Sequence, residues 1–324
     1  MQDSPVNVGA NAWLVDELYR QYQADSSSVS PSWQEFFVDY KPGPAFASDD
    51  APEAATITET AVPAEVSSPT PSPPRSQSAS TVTGDSVLPD GAEPIRGVAA
   101  RIVENMEASL EVPTATSFRD VPARLLEVNR SIINGHLGRT RGGKVSFTHL
   151  IGYAVVRAIA DTVPAMNNGY TTDGDGKPII VRRKNVGLGI AIDVEKKDGS
   201  RSLVVPAIKD ANLYDFGGFV ERYDDLVRRG REGKLTLDDF AGVTVSLTNP
   251  GGIGTVQSGP RLMPGQGAII GLGAIGYPTA FKAADPAKLA EIGVSKVVTI
   301  TSTYDHRIIQ GAESGLFLRR VEEL

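Results

Sequence analysis

The sequence predicts an α/β fold built on a mixed sheet, and three observations carry that prediction. From Pro94 onward, helical and extended patterns alternate along the chain. Two extended runs, at 267–275 and 297–306, then follow one another near the C-terminus, which a purely parallel sheet would not give. Finally, a Pro-, Ser-, Ala- and Thr-rich stretch separates this region from a short aromatic segment at the N-terminus.

Taken in order, residues 1–42 form a helical hairpin. Leu14, Val15, Leu18, Tyr19 and Tyr22 make one apolar helical stripe, and Ser30-Pro31 opens a second helix presenting Trp33, Phe36 and Phe37. Both tryptophans of the chain, Trp13 and Trp33, fall here, and the unit is too small to bury its aromatics alone. A hairpin packed on its own globular domain is one reading. The other, favoured by the long linker, is a docking segment that inserts its aromatics into another subunit.

Residues 43–94 read as a disordered acidic linker. Residues 46–95 hold eight acids against one base, Arg75, with no hydrophobic periodicity to offset the entropy of ordering. Residues 1–45 hold six acids and two bases, and residues 96–324 hold 25 acids and 29 bases. The chain's net charge of −7 thus equals the linker's alone and hides a basic large domain of +4.

Within 95–324, helices are predicted at 95–109, 121–134, 149–162, 216–229 and 314–324. Strands are predicted at 185–194, 202–209, 243–249, 267–275 and 297–306. Thr148 is read as the cap of the 149–162 helix, His136 as a polar-loop residue, and TTDGDGKP as a hairpin turn.

The absence of cysteine excludes disulfide scaffolds, thiolate metal sites and a thiol nucleophile. No metal-binding pattern is present, and no thiamine diphosphate motif follows Gly174-Asp175-Gly176. Gly271, Gly273 and Gly276 match a dinucleotide fingerprint literally, but Pro278 follows at once where a helix would have to open. The acidic overall balance argues against nucleic acid. The most apolar stretch, 268–281, is too short and too glycine-broken to cross a membrane. With no secretory signal at the N-terminus, the protein is expected to be cytoplasmic.

His306 is the candidate catalytic group. It ends an extended apolar run and precedes a turn and a helix, so the sheet presents its imidazole at a strand end. The surrounding segment, Tyr304-Asp305-His306-Arg307-Ile308-Ile309-Gln310-Gly311, resembles the DHRxxxG pattern of the acyltransferase component of 2-oxoacid dehydrogenase complexes. Chloramphenicol acetyltransferase is a more distant likeness. Thr248-Asn249-Pro250-Gly251-Gly252 and Pro264-Gly265-Gln266-Gly267 stand in that family's order and spacing, and the likeness covers about 230 residues. The N-terminal WLVDELYRQYQADSSSVSPSWQEFF is similar to the N-terminus of 2-oxoglutarate dehydrogenases. Together these resemble the start of the actinobacterial multifunctional 2-oxoglutarate enzymes. There a thiamine-dependent decarboxylase would begin about where Arg319–Leu324 stands. The chain is then a fragment, a truncated product or a stand-alone paralogue.

The resemblance implies a chloramphenicol-acetyltransferase-like fold, a homotrimer or larger assembly, and succinyl transfer from dihydrolipoamide to coenzyme A. It implies His306 as general base and acid and Thr248 as the oxyanion donor, the two supplied by adjacent subunits. Asp305, Arg307, Asn249 and Gln310 would orient or support the site. Many members carry Asp where Gln310 stands. A neutral amide makes no charge-assisted pair, which leaves Arg96 and Arg101 as unassigned partners. Nothing before residue 95 resembles a lipoyl domain, and Lys41 lies in the unrelated DYKPG. The lipoyl group is therefore expected in trans, on a lipoyl-bearing acyltransferase, with a thiamine-dependent 2-oxoglutarate decarboxylase as second partner. The rival reading is a trimeric assembly and docking module with little catalysis.

Overall fold

The computed structural model describes residues 12–29, 31–39, 92, 95, 98–140, 142–195 and 201–324. The expected linker at 43–94 lies, Ala92 apart, outside the described residues, as do Lys41 and Arg96.

Helices α1 (Ala12–Ala24) and α2 (Pro31–Asp39) form the expected hairpin. Val15, Val29, Trp33 and Phe37 are its buried centre, with the Trp33 and Phe37 rings stacked at 5.3 Å. Asp25 fixes the corner by accepting the Ser27 N–H at 2.9 Å. The hairpin shares one compact unit with residues 96–324. Leu237 packs against its aromatic cluster, and the Trp33 indole N–H donates to the Leu235 carbonyl at 3.4 Å. The aromatics read as insertion groups for another subunit therefore pack on their own chain here.

The large region runs α3 (Val98–Leu110), β1 (Thr114–Pro122), α4 (Arg124–Arg139), α5 (Phe147–Asp161), β2 (Gly169–Thr172), β3 (Pro178–Val181), β4 (Leu188–Ile190), β5 (Ile192–Glu195), β6 (Arg201–Val204), β7 (Ala207–Ile208), α6 (Phe216–Arg231), α7 (Leu237–Phe240), β8 (Val245–Thr248), β9 (Ala268–Leu272), α8 (Pro286–Glu291), β10 (Val297–Asp305) and α9 (Gly311–Glu323). Six strands form the main sheet in the order β1-β10-β9-β8-β4-β7. The β8 strand runs parallel to β4 and β9, while β10 runs antiparallel to β9 and β1, so the sheet is mixed as expected. TTDGDGKP does turn the β2–β3 hairpin.

Three details differ from the sequence reading. Residues 114–122 form strand β1, the sheet's edge, where no strand was expected. The 185–194 run divides between β4 in the main sheet and β5 in a separate hairpin with β6. His136 lies in the last turn of α4 and not in a loop.

The strand period of two sorts strand β10 into two faces. Val298, Ile300 and Tyr304 point into a core shared with Val155, Val156 and Ile159 of α5, Phe219 and Leu226 of α6, and Phe317, Leu318 and Val321 of α9. The intervening Thr299, Thr301, Thr303 and Asp305 are also buried but polar. Thr299 donates to the Asp120 carboxylate at 2.6 Å, and the Thr303 and Thr116 hydroxyls meet at 2.8 Å. Strand β10, next to the edge strand, is thus buried on both faces up to the C-terminal end that presents the following turn.

Ser146, and not Thr148, caps α5. Its hydroxyl accepts the His149 N–H, and His149 Nδ1 accepts the Ser146 N–H, both at 3.2 Å. His149 Nε2 faces the Asp224 carboxylate at 3.1 Å. Both ring nitrogens are committed, so the neutral imidazole fits and a second ring proton would face the Ser146 N–H. Burial lowers the His149 pKa from its ordinary value, with Asp224 opposing. Among the described residues no helix is long and apolar enough to cross a membrane.

Two outcomes are expected. Trp33→Ala removes the centre of the hairpin cluster, a loss of about 3–5 kcal/mol for a buried aromatic, so limited proteolysis should release the hairpin while residues 98–324 resist. A lowered folded pKa makes the His149 contribution complete above its ordinary value of about 6.5 and progressively lost as pH falls below it. The melting temperature should fall from pH 7 to pH 5, with a shallower fall in His149→Gln; equal slopes would refute that assignment.

Candidate active site

Strand β10 ends at Asp305, and the chain turns sharply there. The Asp305 N–H donates to the Gly267 carbonyl at 3.1 Å, extending the β9 pairing one step. Its own carbonyl then accepts the N–H groups of Ile308 and Ile309, at 3.2 and 3.0 Å. The Asp305 carboxylate is 1% exposed. It accepts the Arg307 backbone N–H at 3.0 Å and two guanidinium bonds, from Nε at 2.9 Å and from Nη2 at 2.7 Å. This fork is the strongest geometry available to a carboxylate. It also raises the Arg307 pKa above the ordinary arginine value. The guanidinium carbon lies 3.6 Å from the centroid of the Tyr170 ring, so the same cation is clamped from the β2 side.

The turn thereby presents His306, which is exposed on the single chain. Its N–H donates to the Pro113 carbonyl at 2.9 Å, and its Nδ1 stands 3.1 Å from the Ile309 carbonyl oxygen. A carbonyl oxygen only accepts, so Nδ1 carries a proton, and in the neutral ring the lone pair is then on Nε2. In that tautomer Nε2 is the ring atom that can exchange a proton with a substrate. Gln310 is the N-cap of α9, its N–H donating to the Glu313 carboxylate at 2.7 Å. The expected partners of Gln310 cannot be placed: Arg96 and the Arg101 side chain lie outside the described residues.

Thr248 is the last residue of β8, half-buried, and is followed by the helical turn Pro250–Ile253. The Asn249 side-chain amide reaches across to α5 and donates to the Thr148 hydroxyl at 2.8 Å. Thr148, read from sequence as a cap, instead braces this turn.

Register shows that Thr248 and His306 do not meet within one chain. Thr248 pairs with Gly271, and Gly271 pairs with Thr301, two strands over. His306 lies five residues beyond Thr301, which at strand rise is about 17 Å along the sheet and about 10 Å across it. The two side chains stand at opposite ends of neighbouring strands.

Sequence reasoning did not find the polar cluster beside His306. Asn167 and Asn168 are buried where the chain approaches β2, and a Cβ on Gly267 would come within 2.4 Å of the Asn168 carbonyl. Only glycine allows that segment to lie against the Gly267–Asp305 pairing. Arg183 closes the cluster. Its Nη2 donates to the Gly265 carbonyl at 2.6 Å and its Nη1 to the Asn167 carbonyl at 3.4 Å. Burial lowers its pKa from the ordinary arginine value. Among the described residues no group of three or more His, Asp or Glu is arranged to hold a metal ion.

Residues 89–324 match the family described as 2-oxoacid dehydrogenases acyltransferase (catalytic domain), and residues 5–44 match the 2-oxoglutarate dehydrogenase N-terminus. The multifunctional 2-oxoglutarate metabolism enzyme of Mycolicibacterium vanbaalenii is 50% identical over 354 residues, covering 99% of this chain and 28% of that protein. The chain therefore spans under a third of the length of the curated relatives it matches. A probable dihydrolipoamide acetyltransferase of Listeria monocytogenes superposes with a TM-score of 0.61 at 26% identity, over 73% of this chain and 94% of that one. A truncated catalytic core of the 2-oxoacid dehydrogenase multienzyme complex of Thermoplasma acidophilum gives 0.57 at 26% identity, over 72% and 96%. With residues 89–324, well over half of the chain, matching that catalytic domain, this chain belongs to the 2-oxoacid dehydrogenase acyltransferase family.

Proposed function

We propose that this chain transfers a succinyl group from dihydrolipoamide to coenzyme A, at sites formed between copies in a homotrimer. The observation that carries the reading is the division of the site. A base with a free Nε2 stands at one end of the sheet and a strand-end hydroxyl at the other, and two copies are needed to bring them together. The match of the N-terminal residues to 2-oxoglutarate dehydrogenases supports the succinyl group over other acyl groups. The excess of four bases in residues 96–324 supports binding of the coenzyme A phosphates.

In this mechanism His306 Nε2 takes the proton from the coenzyme A thiol. The thiolate attacks the carbonyl carbon of the succinyl thioester, and the carbonyl electrons move to oxygen. The Thr248 hydroxyl of the adjacent copy donates to that oxyanion, a contribution of about 2.7–4 kcal/mol in comparable sites. Collapse breaks the bond to the dihydrolipoamide sulfur, which leaves as a thiolate and regains the proton from His306. Asp305 and Arg307 act through His306 by fixing the turn, Asn249 acts through Thr248, and Gln310 caps the helix that follows the turn. The lipoyl group arrives in trans on a lipoyl-bearing acyltransferase, and a thiamine-dependent 2-oxoglutarate decarboxylase loads it.

The purified chain given succinyl-dihydrolipoamide and coenzyme A should form succinyl-CoA. Loss of the base in His306→Ala should cut turnover by about 10²–10⁴-fold, and Thr248→Ala by about 10²–10³-fold, with the oligomer intact. Unchanged turnover in His306→Ala would end the proposal. Co-expressing the two variants in equal amounts makes three-quarters of trimers mixed, each with one intact interface, so activity should return to about one quarter of the parent level. No recovery in mixed trimers would show that the two groups do not act across an interface.

A further inference from the structure

Arg183 is a cation without a counter-charge. Among the described residues, no carboxylate lies within ion-pair distance of it, and it donates to two neutral carbonyls, Gly265 and Asn167. Loss of hydration is the one influence shifting its pKa, and it is downward. The neighbouring Arg307 is different, because its charge is consumed by the Asp305 fork. A half-buried guanidinium held without an anion costs free energy, and two carbonyls occupy only part of its five-donor fork.

Its position is set by backbone. A Cβ on Gly169 would sit 2.4 Å from Arg183 Nη2, so the guanidinium rests on a residue that has no side chain. The next residue, Tyr170, carries the Arg307 cation on its ring. On the other side, Gly265 precedes by two residues the Gly267 that pairs with Asp305. Two residues of chain and one strand spacing therefore separate the Arg183 anchor from the residue before His306, about 12 Å at most.

Resting on the succinyl-transfer reading above, we propose that Arg183 is the specificity-determining residue that receives the distal carboxylate of the acyl group. That carboxylate lies about 4 Å beyond the reacting carbonyl carbon, whose attacking sulfur is the atom within hydrogen-bond reach of His306. The Arg183 guanidinium is anchored at the same end of the sheet as the imidazole. The coenzyme A phosphates are the other anions in the reaction, but the pantetheine arm carries them well away from the thiol. An acyl group without the carboxylate, such as acetyl, would leave the guanidinium as it stands in the free chain.

The test compares succinyl-CoA with acetyl-CoA as acyl donors to dihydrolipoamide, the reverse direction of the same step. Arg183→Met should lower kcat/KM for succinyl-CoA by roughly 30-fold, the loss of one charge-assisted pair, while acetyl-CoA stays within about twofold. Arg183→Lys should keep part of the preference, since it retains the charge without the fork. A parallel fall with both donors, accompanied by a lower melting temperature, would assign Arg183 to holding Gly265 and Asn167, and would overturn the proposal. An equal rise in KM for both donors would assign it to the coenzyme A phosphates and overturn it as well. Calorimetric Kd values for the two acyl-CoA molecules give a readout that needs no turnover. If the parent protein binds succinyl-CoA more tightly than acetyl-CoA but transfers neither, the catalytic reading fails and the loss or survival of that difference in Arg183→Met still decides the role of Arg183. Equal Kd values in the parent protein would refute it outright.

Discussion

The site depends first on the buried carboxylate of Asp305. It ends the most saturated strand of the sheet, is almost wholly removed from water, and is neutralised by a fork from a residue only two positions away. Removing one member of such a pair typically costs about 3–5 kcal/mol, because the other is left charged and dry. The short sequence separation is what matters mechanically. An aspartate and an arginine two residues apart can pair this way only if the chain between them folds back, and the residue between them is His306. The ion pair, the Gly267 bond and the two N–H groups returning to the Asp305 carbonyl together leave the imidazole one exit from the sheet. The Ile309 carbonyl then sets its tautomer.

That rigidity explains the division of labour between strand ends. β8 and β9 run parallel, so their C-terminal ends and that of β10 point in opposite directions. A base carried after β10 and a hydroxyl carried after β8 are therefore separated by the register itself, and no side-chain rotation closes a gap of about 17 Å. In the proposed transfer, a sheet of this topology makes association part of the chemistry. The rival reading, an assembly module with little catalysis, accounts for association but leaves unexplained why the imidazole's tautomer is fixed at all.

The elements legible in the sequence were those that bury one face. The 297–306 run alternates apolar and threonine residues, the apolar helical stripes are long, and the hairpin turn carries its own Asp-Gly chemistry. Strand β1 escaped because it is an edge strand: TATSFRDVP packs one side partially and offers no alternation of hydrophobic residues. His136 was misplaced because Gly135 and Gly138 flank it, and glycine argues for a loop wherever tertiary packing does not override it. Thr148 was taken for the cap because Ser146 and Thr148 are both acceptable capping residues. Only the bond from the Ser146 N–H to His149 decides between them. His306, Thr248 and their neighbours were legible because each lies in a contiguous motif. Arg183 was not, because its significance arises from Gly265, Asn167 and Gly169, all remote in sequence or silent in it.

The charge distribution closes the argument about what the large region is built to meet. Summed over residues 96–324 the excess is four positive charges, yet several of the arginines that the structure describes are committed to carboxylates, as Arg228 is to Asp225, Arg157 to Asp161, and Arg320 to Glu323. Exposed pairs of this kind contribute little and present little net field. A long-range excess serves to attract an anionic substrate, but it cannot choose among anions. Choice requires a cation that is partly desolvated, fixed in place and left unneutralised, close to the reacting group. At the β10 end of the sheet Arg307 is fixed but neutralised, and Gln310 carries no charge that could quench a neighbour. Arg183 alone of these three combines fixation with an uncompensated charge, which is why the proposed discrimination by acyl charge is placed on it.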